Sequence, residues 1–261
     1  MKRRTKIALI SMAAGATAAL TALLLWHFLA TGEFGMPSGD DLVQIKRKLA
    51  GKPDEGAPKI IYLHRGPIHL TGGDDDSTKG MSSIVASFGH KAVDLPGFNG
   101  TDKRWRDIVA CVKTKFAPFD VAVTEQRPVG GNYILVAVGG SPKDAGIAKE
   151  VGGLAPFSGD IVPRAVVLAF ARKLGNRLRE TCDVIGMEVA HAYGLDHEYD
   201  CHDVMTYRSY CGTKKFIDKD VACGEQKKRA CAGGKPTQNS FRMLLAALGP
   251  AKPAVSAGPA E

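Results

Sequence analysis

Hydrophobic and polar positions along this chain change period several times, and each change marks an element. The first is an uncharged run from Ile7 to Ala30, behind a start carrying Lys2, Arg3, Arg4 and Lys6. A basic start followed by so long an apolar stretch targets a chain to a membrane. The run exceeds the ~20 residues that span a bilayer, and Ala30-Thr31-Gly32 offers the small residues a signal peptidase needs. Residues 1–30 are therefore expected to be a cleaved signal peptide or a retained N-terminal transmembrane helix. The basic end stays cytoplasmic in either case, so the remainder is exported. Residues 31–57 mix Gly, Pro and charge without a clear period and read as a linker. The Pro/Ala/Gly-rich stretch 249–261 reads as a disordered tail. One domain is left, 58–248.

Within it, Lys59–Leu63 reads as a strand, followed by a Gly/Asp-rich loop. Trp105, Ile108, Val109, Val112 and Phe116 recur at helical spacing, so a helix is expected over about 101–115, ended by Pro118. Asp120–Glu125 and Tyr133–Val138 are short β-rich runs separated by the turn Pro128-Val129-Gly130-Gly131, and Ala165–Phe170 is a further strand. A second helix runs over about 176–193, its buried stripe made by Leu178, Cys182, Ile185, Val189 and Ala192, with Gly194 placed to terminate it. A last helix covers about 239–247. This order predicts an α+β domain, a mixed sheet with both long helices packed on it.

Charge changes this picture little. Of the formal +8, four charges belong to the leader. Much of the rest lies in Lys214–Lys235, which also holds Asp218, Asp220 and Glu225 and lacks interleaved aromatics, so it reads as solvated surface and no nucleic-acid partner is expected. The six cysteines all follow the leader, and no C-x-x-C pair occurs. An even count on an exported chain points to three disulfides. Proximity in sequence favours Cys201–Cys211 and Cys223–Cys231, leaving Cys111–Cys182.

The chemistry concentrates at the end of the second helix. Met187-Glu188-Val189-Ala190-His191 is followed by Gly194, His197 and, eight residues further on, Met205. Residues four apart on a helix share a face, so Met187 and His191 point to one spot, and a turn at Gly194 lets His197 return to it. Glu188 lies beside that spot. The pattern differs from H-E-x-x-H-x-x-G-x-x-H only in Met187, where the first imidazole would stand.

With these residues the chain resembles the metzincin clan of zinc endopeptidases, and His191–His197 is similar to the matrixin branch. The resemblance is strong over 184–207 and extends more loosely over 58–210. It implies a zincin-like fold with a twisted mixed sheet, two long helices, a Met-turn at Met205 and a small C-terminal helical part. It further implies zinc held by His191 and His197, Glu188 as general base and Tyr207 as oxyanion support, acting on an extended peptide or protein substrate that pairs with Ala165–Phe170 as the sheet edge. Met187 departs from the pattern, because a neutral thioether suits Cu(I) better than Zn(II). A third ligand is then expected from His202, Asp200 or Asp196, or from the more remote His64, His69 or His90. Otherwise zinc binds through two imidazoles and water, or the site is empty and Met187 is core filler. The functional expectation is an exported zinc-dependent endopeptidase. The alternative is an inactive relative acting as a peptide- or protein-binding module or a structural envelope protein. Apart from this site, Gly72–Asp76 clusters three carboxylates that could take calcium, without the spaced ligands of an EF-hand.

Overall fold

The computed structural model describes residues 56–208 and 211–252. The expected leader and nearly all of the expected linker lie outside these residues. Among the described residues no helix is long and apolar enough to cross a membrane.

The main sheet is built from β1 (Ile60–His64), β5 (Ala122–Thr124), β6 (Ile134–Val138), β7 (Gly153–Leu154) and β8 (Val166–Ala169), in the order β5-β1-β6-β8-β7. The first four strands of that row are parallel and β7 alone is antiparallel, paired to β8. Every residue of β6 (ILVAV) and β8 (VVLA) is buried. Continuous apolar runs of this kind mark strands covered on both faces.

One face carries two fifteen-residue helices, α2 (Asp102–Phe116) and α3 (Leu178–Ala192). Thr101 caps α2 by accepting from Arg104 N–H, and its Trp105, Ile108, Val112 and Phe116 pack with Ile61, Leu63, Val136 and Val167 of the sheet. From α3, Cys182, Ile185 and Val189 enter the same core. The two helices are joined by the Cys111–Cys182 disulfide and by a Lys115–Asp183 ion pair at 2.7 Å whose side chains are 7% and 13% exposed. Disulfides Cys201–Cys211 and Cys223–Cys231 also form, which completes the expected pairing. Three disulfides fit a chain that matures in an oxidising, exported setting.

The opposite face is covered by a unit that the Gly/Asp-rich sequence of 64–100 does not announce. Strands β2 (Ile68–Gly72), β3 (Met81–Ser82) and β4 (Ala92–Leu95) make a second sheet in the order β3-β2-β4, beside the short helix α1 (Ser83–Ser87). Leu70, Ile84, Val85 and Leu95 pack there on Tyr62, Leu135, Val166 and Leu168. The last helix, α4 (Ser240–Leu248), returns Leu244 and Leu248 to the main core. Beyond it the first residues of the proline-rich tail are paired to the segment that follows α2, with Asp120 N–H on Gly249 O at 3.0 Å and Ala251 N–H on Pro118 O at 2.9 Å. The domain is thus α+β with a mixed sheet.

One expectation is corrected. Ala165–Phe170 is not the sheet edge, because β8 is flanked by β6 and β7. The edge near the helix end is β7, two residues long and one of them glycine, so it carries no alternating pattern a sequence reading could detect.

Candidate functional site

Helix α3 delivers the site. From Thr181 to Ala192 it is buried nearly all round, and its C-terminal turn carries Met187, Glu188 and His191. Gly194 follows at φ 85°, and a Cβ there would lie 2.9 Å from Gly159 O. Only glycine accepts both that dihedral and that approach without strain. The reversal brings His197 back onto His191, with ring centroids 4.5 Å apart and planes at 85°.

The two rings meet through their Nε2 atoms at 2.9 Å. Each ring is oriented from behind: His191 Nδ1 faces Leu195 O at 2.7 Å, and His197 Nδ1 faces a Glu225 carboxylate oxygen at 2.8 Å. A carbonyl and a carboxylate only accept, so both Nδ1 atoms carry a proton, and in the neutral rings both Nε2 atoms present lone pairs. Two acceptors at this separation repel unless a cation lies between them, either a proton or a metal ion. Burial, with the neighbouring His197 ring adding to it, lowers the His191 pKa to about 4, so this ring resists taking the proton itself.

Behind His197 stands a network that joins Asp196 to Lys214–Lys235, the segment expected to be solvated surface. Arg229 donates to Asp196 with both terminal nitrogens, at 2.6 and 2.7 Å, and to Glu225 at 2.7 Å. Asp196 also accepts from the His197 backbone N–H at 2.7 Å. Arg229, followed by His197, holds Glu225 down at about 2. For Asp196 burial acts upward, but Arg229 and the backbone donors outweigh it and keep the carboxyl low. Asp196, His197 and Glu225 form a cluster of metal-ligating groups in their own right. Its two carboxylates share the single positive charge of Arg229, and the cluster holds His197 from behind. Glu225 and Arg229 both lie in the loop closed by Cys223–Cys231. The only sequence signal for them was two opposite charges between paired cysteines.

The expected third ligand is not found. Among the described residues no further His, Cys, Asp or Glu atom joins His191 and His197 in a group of three. The His202 side chain is 72% exposed beside Asp200, whose other oxygen pairs with Lys219. Asp196 is spent on Arg229. His64 contacts Tyr62 and Pro67, His69 pairs with Asp94, and His90 reaches Gly146 O. The donor set therefore suits zinc in kind, with two converging neutral imidazoles backed by acceptors, but falls one protein ligand short of the usual three.

Glu188 is buried, and no hydrogen bond or ion pair reaches it among the described residues. Burial alone raises its carboxyl to about 8. Its side chain lies under the edge strand, where a Cβ on Gly153 would stand 2.7 Å from Glu188 Cγ. Tyr207 is 51% exposed, and its ring lies 4.5 Å from that of His197, while the Phe157 ring lies 5.3 Å from that of His191. Tyr207 is raised above its ordinary value by burial, with Glu188 and Glu225 adding to it. Met205 is fully buried, and its carbonyl accepts from Glu198 N–H at 3.0 Å, which closes this turn onto the segment after His197.

A cleft of about 580 Å³ opens from Glu188 and Tyr207 along β7, with Met187, Val184 and Leu174 as apolar lining. The acidic loop at Gly72–Asp76 is used structurally. Asp75 accepts from Val166 N–H, while Asp76 accepts from Thr78 and pairs with Lys79, so no convergent calcium set remains.

No family profile matches the chain, and no characterised protein matches it in sequence.

Proposed function

We propose that this protein is an exported, metzincin-type zinc peptidase that takes an extended peptide along β7. The observation that carries the reading is the pair of Nε2 atoms 2.9 Å apart, each ring's Nδ1 facing an acceptor from behind. A buried pair built this way favours a shared cation, and imidazole suits zinc. The sheet row with one antiparallel edge strand beside the helix, together with the turn at Met205, supports the same ancestry.

Zinc in this site supplies a positive centre that polarises a carbonyl and acidifies water. The chain's own groups do the rest. The open edge of β7 pairs with the peptide backbone, and Phe157 and Tyr207 flank it at the imidazoles. Glu188 takes the proton of the attacking water on its carboxylate and returns it to the leaving amine, while the Tyr207 hydroxyl donates to the carbonyl oxygen. A nearby cation is needed for Glu188 to ionise at neutral pH, because burial alone keeps it protonated up to about 8.

A second reading, binding without cleavage, is favoured by one observation: among the described residues no third His, Cys, Asp or Glu joins His191 and His197. Metal analysis and a peptide-cleavage assay on the full-length chain separate the two. Stoichiometric zinc, with chelator-sensitive cleavage that Glu188→Gln abolishes, supports the peptidase. Zinc with no cleavage leaves the binding module. No zinc at micromolar supply removes the metal reading altogether.

A further inference from the structure

The cleft along β7 has a charge pattern that the hydrolytic reading does not use. Its lining includes the carboxylates of Glu150, Glu180, Asp183 and Glu188, and the cations Arg177, Arg179, Arg208 and Lys214. Three of those carboxylates are already engaged. Glu150 pairs with Lys173, Glu180 with Arg177 at 3.2 Å, and Asp183 with Lys115 at 2.7 Å. Among the described residues no carboxylate is ion-paired to Arg179, Arg208 or Lys214. Arg208 rests on the Tyr199 ring at 5.1 Å, and Lys214 donates to Thr206 O at 3.2 Å, so two of the three are positioned without being neutralised. With the partners Lys173 and Lys115 included, six cations face four carboxylates. The excess is two positive charges even with Glu188 counted as fully ionised.

The apolar side of the same cleft is Leu174, Val184 and Met187, beside the backbone of Gly152 and Gly153 at the open edge of β7. A peptide added to a sheet edge sends alternate side chains to opposite sides. The cleft beside this edge holds both the apolar lining and the cations Arg179, Arg208 and Lys214. We propose that this cleft selects extended peptides in which apolar residues alternate with acidic ones, the carboxylates being read by Arg179, Arg208 and Lys214. The inference rests on the reading of the cleft as a peptide site and adds the class of peptide it takes.

The test is fluorescence anisotropy with the full-length protein and two labelled probes, an alternating Val/Glu peptide and its Val/Gln isostere. Rim charges act mainly through complementarity and association rate, and exposed pairs contribute ~0.2–1 kcal/mol each. The Val/Glu probe should therefore bind about tenfold more tightly at low salt, and the advantage should shrink as salt is raised. The double variant Arg179→Glu/Arg208→Glu should erase or invert it, with an unchanged melting curve. Arg104→Glu, a charge reversal on α2 away from the cleft, should preserve it. Equal binding of the two probes overturns the charge preference, as does loss of the advantage in Arg104→Glu. Zinc content is read on the same samples, so absent metal with the acidic preference intact counts against the peptidase reading alone.

Discussion

Glu225→Ala is the sharpest perturbation of the centre, because it removes a group that orients a ligand without touching the ligand set. The carboxylate accepts from His197 Nδ1 at 2.8 Å and is itself held by Arg229 at 2.7 Å. A hydrogen bond to a charged group contributes ~1.5–3 kcal/mol net, and outer-shell partners of ligating histidines change metal affinity by ~10–100-fold. Arg229 already balances part of the Glu225 charge, and the side chain is 35% exposed. Both facts place the loss at the lower end, about 10–30-fold in zinc dissociation constant. Glu225→Gln keeps an acceptor oxygen and removes only the charge, so it should fall between the variant and the parent. The assay is competition with a chromophoric zinc chelator, with thermal melting as the check on folding. Unchanged zinc affinity in a folded Glu225→Ala protein would refute the argument, because His197 would then not be oriented from that side.

Three further outcomes are expected. Met187→His places a third imidazole on the face of His191 and should tighten zinc binding by at least about tenfold, since three protein ligands are the norm; unchanged affinity in the same competition assay would mean that residue 187 does not reach the centre. Glu198 is fully buried, and its carboxyl is raised by burial and by Asp203, as Glu188 is raised by burial. Raised carboxyls contribute stability that is fully present below the unfolded value near ~4.3 and lost as pH rises through the folded values, so melting temperature should fall from about pH 5 to 9, less steeply in Glu198→Gln; parallel curves would contradict this. Replacing Cys111 and Cys182 together by Ala opens a link spanning 71 residues and should cost about 4 kcal/mol in denaturant unfolding, whereas a loss under about 1 kcal/mol would show that the helix pair is held by packing alone.

Local signals made much of the domain legible. The helices over 102–116 and 178–192 follow from apolar residues at helical spacing, with Pro118 and Gly194 marking their ends. The strands at 60–64, 134–138 and 166–169 follow from apolar runs bounded by turns. His191 and His197 were paired by the same local logic, a helix face and a glycine reversal, and the cysteine pairing followed from proximity in sequence. The second sheet was not legible, because strands of two to five residues with mixed polarity give no period to detect.

What tertiary structure alone decided are the relations between distant segments. Glu225 reaches His197 across 28 residues, and Arg229 reaches Asp196 across 33, through a loop whose composition says only that it is charged. The edge position of β7, the burial of Glu188 beneath Gly153 and the absence of a third ligand among the described residues are likewise set by packing. Helix periodicity and turn chemistry are properties of neighbouring residues, so the sequence by itself determined where the imidazoles point. Hydrogen-bond partners, burial and ligand count depend on which segments fold against each other, and only the folded chain determines what surrounds those imidazoles.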